Sequence, residues 1–145
     1  MITNERQYRI TKAQLKRFED DLDAQGARTP SADRDPRLHR AMRDALASEA
    51  DELRAQLEHY EQLRDGTITG RELDSLRDLP TALIEARIAA KMTQRALAGR
   101  LGVAEQQVQR WEATNYTGVG LERLQDIADA LGSRIRENVT YSSAA

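Results

Sequence analysis

Apolar residues along this chain recur at helical spacing, in long stretches through the first half and short ones through the second. Thr11 can cap a helix whose apolar positions Leu15, Phe18 and Leu22 follow a 3-4 spacing. The run GARTPSADRDP, Gly26 to Pro36, then breaks it with turn formers. Asp35 followed by Pro36 opens the next helix, since proline at the first helical position loses no needed hydrogen bond. From there Leu38, Met42, Ala45, Leu46, Ala50, Leu53, Leu57 and Tyr60 form a stripe down one helix face that ends at Asp65-Gly66. At 1.5 Å per residue this helix spans about 40 Å. So long a helix cannot be buried in a chain of 145 residues. It must pair along its length with the first helix, with a second copy or with another partner.

Residues 66–79, GTITGRELDSLRDL, read as a linker with one helical turn. The pattern then tightens into short helices, roughly 80–91, 94–101, 105–113 and 121–131. The last of these, LERLQDIADALG, puts Leu121, Leu124, Ile127, Ala128 and Leu131 on one face and ends at Gly132, a left-handed C-cap. Beyond it Ile135, Val139 and Tyr141 alternate with polar residues, which permits a short strand or a frayed end. The expected fold class is all-α. Its organisation is a helical hairpin over 1–65, a linker over 66–78, a cluster of short helices over 79–133 and a tail over 134–145.

Composition narrows the function classes. Charged residues make up 32% of the chain and aromatics 4%, which suits a helical protein with a large solvated surface. The absence of cysteine excludes disulfides and thiolate chemistry. No apolar run approaches the roughly 18 to 20 residues of a bilayer span, so the expectation is a cytoplasmic protein with no membrane partner. The net charge of −2 argues at first against a nucleic-acid partner, but it averages two unlike halves. Residues 1–79 carry 14 Lys and Arg against 17 Asp and Glu, whereas residues 80–145 carry 8 against 7. Any DNA binding must therefore come from a few placed cations and helix N-termini.

The stretch TQRALAGRLGVAEQQVQRWE, Thr93 to Glu112, has the periodicity of two short helices around a glycine turn. Thr93 caps the first helix, Leu97 and Leu101 face inward, and the small Ala98 between them lets a second helix cross closely. Gly102 makes the turn, and Val108 and Trp111 form the inward face of the second helix. Glu105, Gln106, Gln109 and Arg110 are left on its outer face.

This stretch resembles the helix-turn-helix of the Cro/C1-type repressors, the XRE family. The pattern there is a glutamine opening helix two, Leu-Ala in its middle, Gly-Val at the turn, and Trp-Glu or Ile-Glu closing helix three. The similarity runs from about Leu79 through Leu131, with LIEARIAAKMTQ before the hairpin and LERLQDIADALG after it. It implies that residues 79–133 form a lambda-repressor-like DNA-binding domain. Gln94 would take the place of the family's phosphate-contacting glutamine. Ala104, Glu105, Gln106 and Gln107, with Arg110 one turn later, would fall where the family reads base edges in the major groove, and Gln109 would join them in contacting DNA. A glutamine can pair bidentately with adenine and an arginine with guanine, each good pair contributing about 1 to 3 kcal/mol of discrimination. Two positions depart from the pattern. Ala104 replaces the frequent Ser or Thr cap, and Glu105 adds an anion that could only read cytosine or repel phosphate.

Other candidates reduce to ordinary structure. Trp111 is expected in the core, and His39 and His59 on the surface. Asp20 to Gly26, DDLDAQG, has Asp21, Asp23 and Gly26 at calcium-loop offsets, but Ala32 stands where the bidentate glutamate belongs. Gly118-Val119-Gly120 lacks the strand-turn-helix context of a phosphate loop. Asn138-Val139-Thr140 matches a glycosylation sequon without any sign of secretion. No nucleophile has a positioned base, and the chain is expected to hold no catalytic site, cofactor or metal.

The expectation is thus a sequence-specific repressor that binds double-stranded operator DNA as a homodimer. A short regulator of this kind with an added helical arm resembles the HigA-kind antitoxins of bacterial toxin-antitoxin operons. That resemblance implies autoregulation of an operon and neutralisation of a cognate toxin. The alternative is an interaction scaffold that uses the arm without specific DNA binding.

Overall fold

The computed structural model describes residues 1–27 and 35–143. It divides into two compact units, Met1–Thr69 and Gly70–Ala145. All regular structure among the described residues is helical.

The first unit is an antiparallel pair, α1 (Glu5–Ala27) and α2 (Pro36–Asp65). Helix α1 starts six residues before the Thr11 that the sequence pattern offers as its cap. The Asn4 side chain accepts from the backbone N–H of Gln7 at 2.9 Å, and the Gln7 side chain accepts from the N–H of Thr3 at 2.8 Å. These two bonds satisfy the helix start, so Thr11 lies inside α1. Asp20, Asp21 and Asp23 are helical in the same element, which leaves no calcium-type loop there. Helix α2 begins as expected, with the Asp35 carboxylate accepting from Arg37 N–H at 2.9 Å. It ends on Gly66, whose φ of 86° lets its N–H reach back to the carbonyl of Leu63. The turn read over Gly26–Pro36 falls largely on residues 28–34, outside the described residues.

Burial in the pair is uneven. Tyr8 stacks on Tyr60 with ring centroids 5.2 Å apart, Arg64 lies 4.9 Å over the Tyr8 ring, and the Tyr8 hydroxyl donates to Glu61. Ile2, Tyr8, Ala50, Leu57, Tyr60 and Leu63 are buried, mostly where the start of α1 meets the end of α2. Leu15, Phe18, Leu22, Leu46 and Leu53 are only half-buried. Leu38 and Met42, expected in the stripe, are 61% and 60% exposed. They sit one position off the seam, on which half-buried His39 takes the slot; His59, also expected on the surface, is half-buried too. Two helices meet along one line, and a stripe wider than that line stays in solvent.

In the second unit a short 3-10 turn, Leu76–Asp78, leads into four α-helices. Ser75 and Asp78 cap each other's backbone there: the Ser75 hydroxyl accepts from Arg77 N–H at 3.2 Å, and Asp78 accepts from Ser75 N–H at 3.1 Å. The helices are α3 (Leu79–Ala89), α4 (Gln94–Leu101), α5 (Glu105–Ala113) and α6 (Leu121–Ala130). Helix α4 packs on both α5 and α6. Leu83, Ile84, Leu97, Val108 and Ile127 are fully buried, a core in which each large side chain contributes about 1.5 to 3 kcal/mol. Gly132, at φ 67°, ends α6, and Ser133 N–H returns to the carbonyl of Ala128 at 2.9 Å. Leu121, expected on the inner face of α6, is 71% exposed because it begins the first turn, before the helix reaches the core at Leu124 and Ile127.

No strand forms over residues 133–143. Val139 and Tyr141 are 69% and 88% exposed, and their alternation meets no second strand to pair with. Among the described residues no helix is long and apolar enough to cross a membrane, and no group of acidic and histidine side chains gathers as a metal site.

Candidate nucleic-acid interface

The geometry of the site begins with α4. Its cap, Thr93, accepts from Ala96 N–H through the hydroxyl at 3.0 Å. Its end is set by Gly102, whose φ of 67° allows Val103 N–H to bond the carbonyl of Ala98 at 3.0 Å. The left-handed turn swings the chain into α5, which packs against α4, whose Leu97 and Ala98 are buried. Ala104 takes the extended cap conformation at φ −70°, ψ 146°, but offers no side-chain hydrogen bond to the start of α5.

Helix α5 presents two unlike faces. Val108 and Glu112 are buried, and Gln107 and Trp111 are half-buried. Trp111 is thus only partly in the core where the pattern expected it, and the fully enclosed position is the next one. Ala104, Glu105, Gln106, Gln109 and Arg110 are exposed. The Gln109 side chain donates to Glu105 at 3.2 Å, one turn back, while the side chains of Gln106 and Arg110 make no hydrogen bond among the described residues.

Behind this face lies a polar network that the sequence reading missed. Arg87 of α3 grips the carboxylate of Glu112 with two nitrogens, the Nη2 to Oε2 bond being 2.8 Å. Its Nη1 also donates to the carbonyl of Met92 at 2.9 Å, closing the α3–α4 turn. Both side chains are buried. Gln94, at the start of α4, donates through Nε2 to Glu112 Oε2 at 2.7 Å. One guanidinium therefore ties α3, the next turn and α5 together, and Gln94 adds α4. The signal was present as two opposite charges within apolar runs. Arg87 stands beside Ile88 and four residues after Leu83, and Glu112 lies four after Val108.

A tight turn follows α5. Asn115 and Tyr116 both adopt positive φ, 51° and 56°, which is strained for a tyrosine. Tyr116 is buried, and its hydroxyl finds no partner among the described residues. Burial pushes its pKa well above the ordinary phenol value, and the Glu112 carboxylate adds to the shift by opposing a second anion.

A helix-turn-helix family model matches residues 83–138. This segment is a helix-turn-helix domain of the lambda-repressor-like kind. No curated protein and no solved structure matches the chain. The match supports a DNA-binding regulator of transcription. Within the matched segment α4 and α5 are the paired helices; in DNA-bound helix-turn-helix proteins the second helix of such a pair lies in the major groove.

Proposed function

We propose that the chain is a sequence-specific repressor that inserts α5 into the major groove of operator DNA and works as a homodimer in the cytoplasm. The observation that carries this reading is the split character of α5. Its inner side is fixed by Val108 and the Arg87–Glu112 pair, while Gln106 and Arg110 project from the outer side with no competing side-chain bond among the described residues. Gln106 and Arg110 read bases, and Ala104, Glu105, Gln107 and Gln109 line the contact. Gln94 retains a second amide hydrogen for a backbone phosphate while Glu112 holds the first. Two copies are needed because one helix with so few cations would bind weakly, and paired half-sites lie about 34 Å apart.

In this reading residues 1–65 are an interaction arm, 66–78 a linker, 79–133 the DNA-binding domain and 134–145 a tail. The narrower form makes the chain an antitoxin that autoregulates its operon. The arm would then cover a cognate toxin, and the acidic surplus of residues 1–79 suits a basic surface. A second reading is favoured by the exposed Leu38 and Met42: an interaction scaffold that uses the arm alone.

Titration against the DNA upstream of the gene, at two salt concentrations, separates the readings. Specific binding that weakens steeply with salt, and that falls to weak, sequence-blind binding in Gln106→Ala/Arg110→Ala, supports the repressor. Identical behaviour of the two proteins on this DNA would sink it and leave the scaffold.

A further inference from the structure

Glu105 is an anion on the face assigned to DNA, where it ought to oppose phosphates. Its ordinary use is at hand: it opens α5, whose cap Ala104 supplies no hydrogen bond, and a carboxylate in a first turn offsets the helix dipole. That use does not require a partner, yet the Glu105 carboxylate accepts from Gln109 Nε2 at 3.2 Å. A glutamine amide has one oxygen acceptor and two N–H donors. Once Glu105 takes one donor, an acceptor and a single donor remain on the Gln109 amide.

That remainder complements one base edge. In the major groove adenine shows the N6 amino donor beside the N7 acceptor, guanine shows two acceptors, thymine an acceptor and a methyl group, and cytosine a lone donor. A free amide can rotate or flip to suit several of these; a tethered one is biased towards adenine. We propose that Glu105 is a positioning residue that holds the Gln109 amide to read an adenine in each half-site. The proposal rests on the DNA-reading function given above and adds Gln109 to its readers, one turn from Gln106 and next to Arg110.

Selection from randomised duplexes, followed by competition titration, tests it with the full chain and its Glu105→Ala, Glu105→Gln, Gln109→Ala and Glu105→Ala/Gln109→Ala variants. The wild type is expected to prefer adenine at a position where Gln109→Ala loses about tenfold discrimination. Glu105→Ala should lose a similar factor at that same position and no other, and the double variant should lose no more. Glu105→Gln, whose side-chain oxygen can still accept from Gln109, should keep the preference. A role confined to the helix dipole predicts something else: both Glu105 variants would melt earlier and bind every sequence equally less well, which would overturn the positioning role. A wild type with a clear preferred site whose adenine position survives Glu105→Ala also overturns it, leaving DNA reading intact. A wild type with no preferred sequence removes the DNA-reading function and this inference together.

Discussion

At the scale of single residues, the second unit is organised around charges and hydroxyls placed where apolar side chains would be expected. Arg87 and Glu112 are buried, and their desolvation is offset only because the guanidinium and carboxylate meet on two bonds and spend their remaining capacity on Met92 and Gln94. Tyr116 has no such compensation. Its buried hydroxyl lacks a partner among the described residues, and a group left in that state costs about 1 to 3 kcal/mol. Tyr116→Phe is therefore expected to melt at or above the wild-type temperature at neutral pH, read by circular dichroism. The pH dependence has a definite sign. The folded-state pKa is raised above the ordinary value of 10.0, first by burial and then by Glu112. Above pH 10 the unfolded chain gives up its phenol proton while the folded chain keeps it, so stability falls as pH rises through that value. Tyr116→Phe should lose that component of alkaline destabilisation, whereas Tyr141→Phe, at an exposed tail position, should not. Equal alkaline melting profiles for wild type and Tyr116→Phe would show that the phenol is not the titrating group.

At the scale of elements, helix starts show how local chemistry sets boundaries. Helix α4 is capped by Thr93, and α2 by Asp35, but α5 begins on Ala104, whose side chain accepts from none of its first N–H groups. The backbone there already has the extended geometry that a serine cap uses. Ala104→Ser should therefore stabilise the domain by about 1 kcal/mol, seen as a higher midpoint in urea with an unchanged slope; an unchanged midpoint would mean that the serine fails to cap. The four helices of the second unit were legible in the sequence because each carries its own stop, such as Gly102 and Gly132, and its own apolar face. What was not legible depends on partners far along the chain. The start of α1 was missed because Asn4 and Gln7 cap it through polar side-chain bonds that the spacing of apolar residues does not record. The exposure of Leu121 and the lack of a strand at Val139 and Tyr141 were missed because periodicity states which residues share a face and is silent on whether anything covers it. The outer face of α5 was readable from its spacing, but the bond from Gln109 to Glu105 and the grip of Arg87 on Glu112 needed coordinates.

At the scale of the whole molecule, the two units differ in how completely they satisfy themselves. The second encloses Leu83, Ile84, Leu97, Val108 and Ile127 within its own helices. The first buries its core mainly at one end, and along the rest of α1 and α2 leaves Leu15, Phe18, Leu22, Leu46 and Leu53 half-covered, with Leu38 and Met42 open. Two helices cannot cover both sides of an apolar seam, whereas four can, and antiparallel bundles are built that way. A repressor that reads two half-sites needs a second copy, and a second hairpin has the matching apolar length. If the arm joins the dimer, Leu38→Glu/Met42→Glu should lower the mass in solution towards that of one chain, measured by light scattering at micromolar concentration. Operator affinity should fall with it, because the second half-site is then no longer held at high effective concentration, while the helical content of each chain is kept. A wild-type protein that is already monomeric at that concentration would rule out the arm as a stable dimer contact. A variant that stays dimeric would place the joining surface on residues other than Leu38 and Met42.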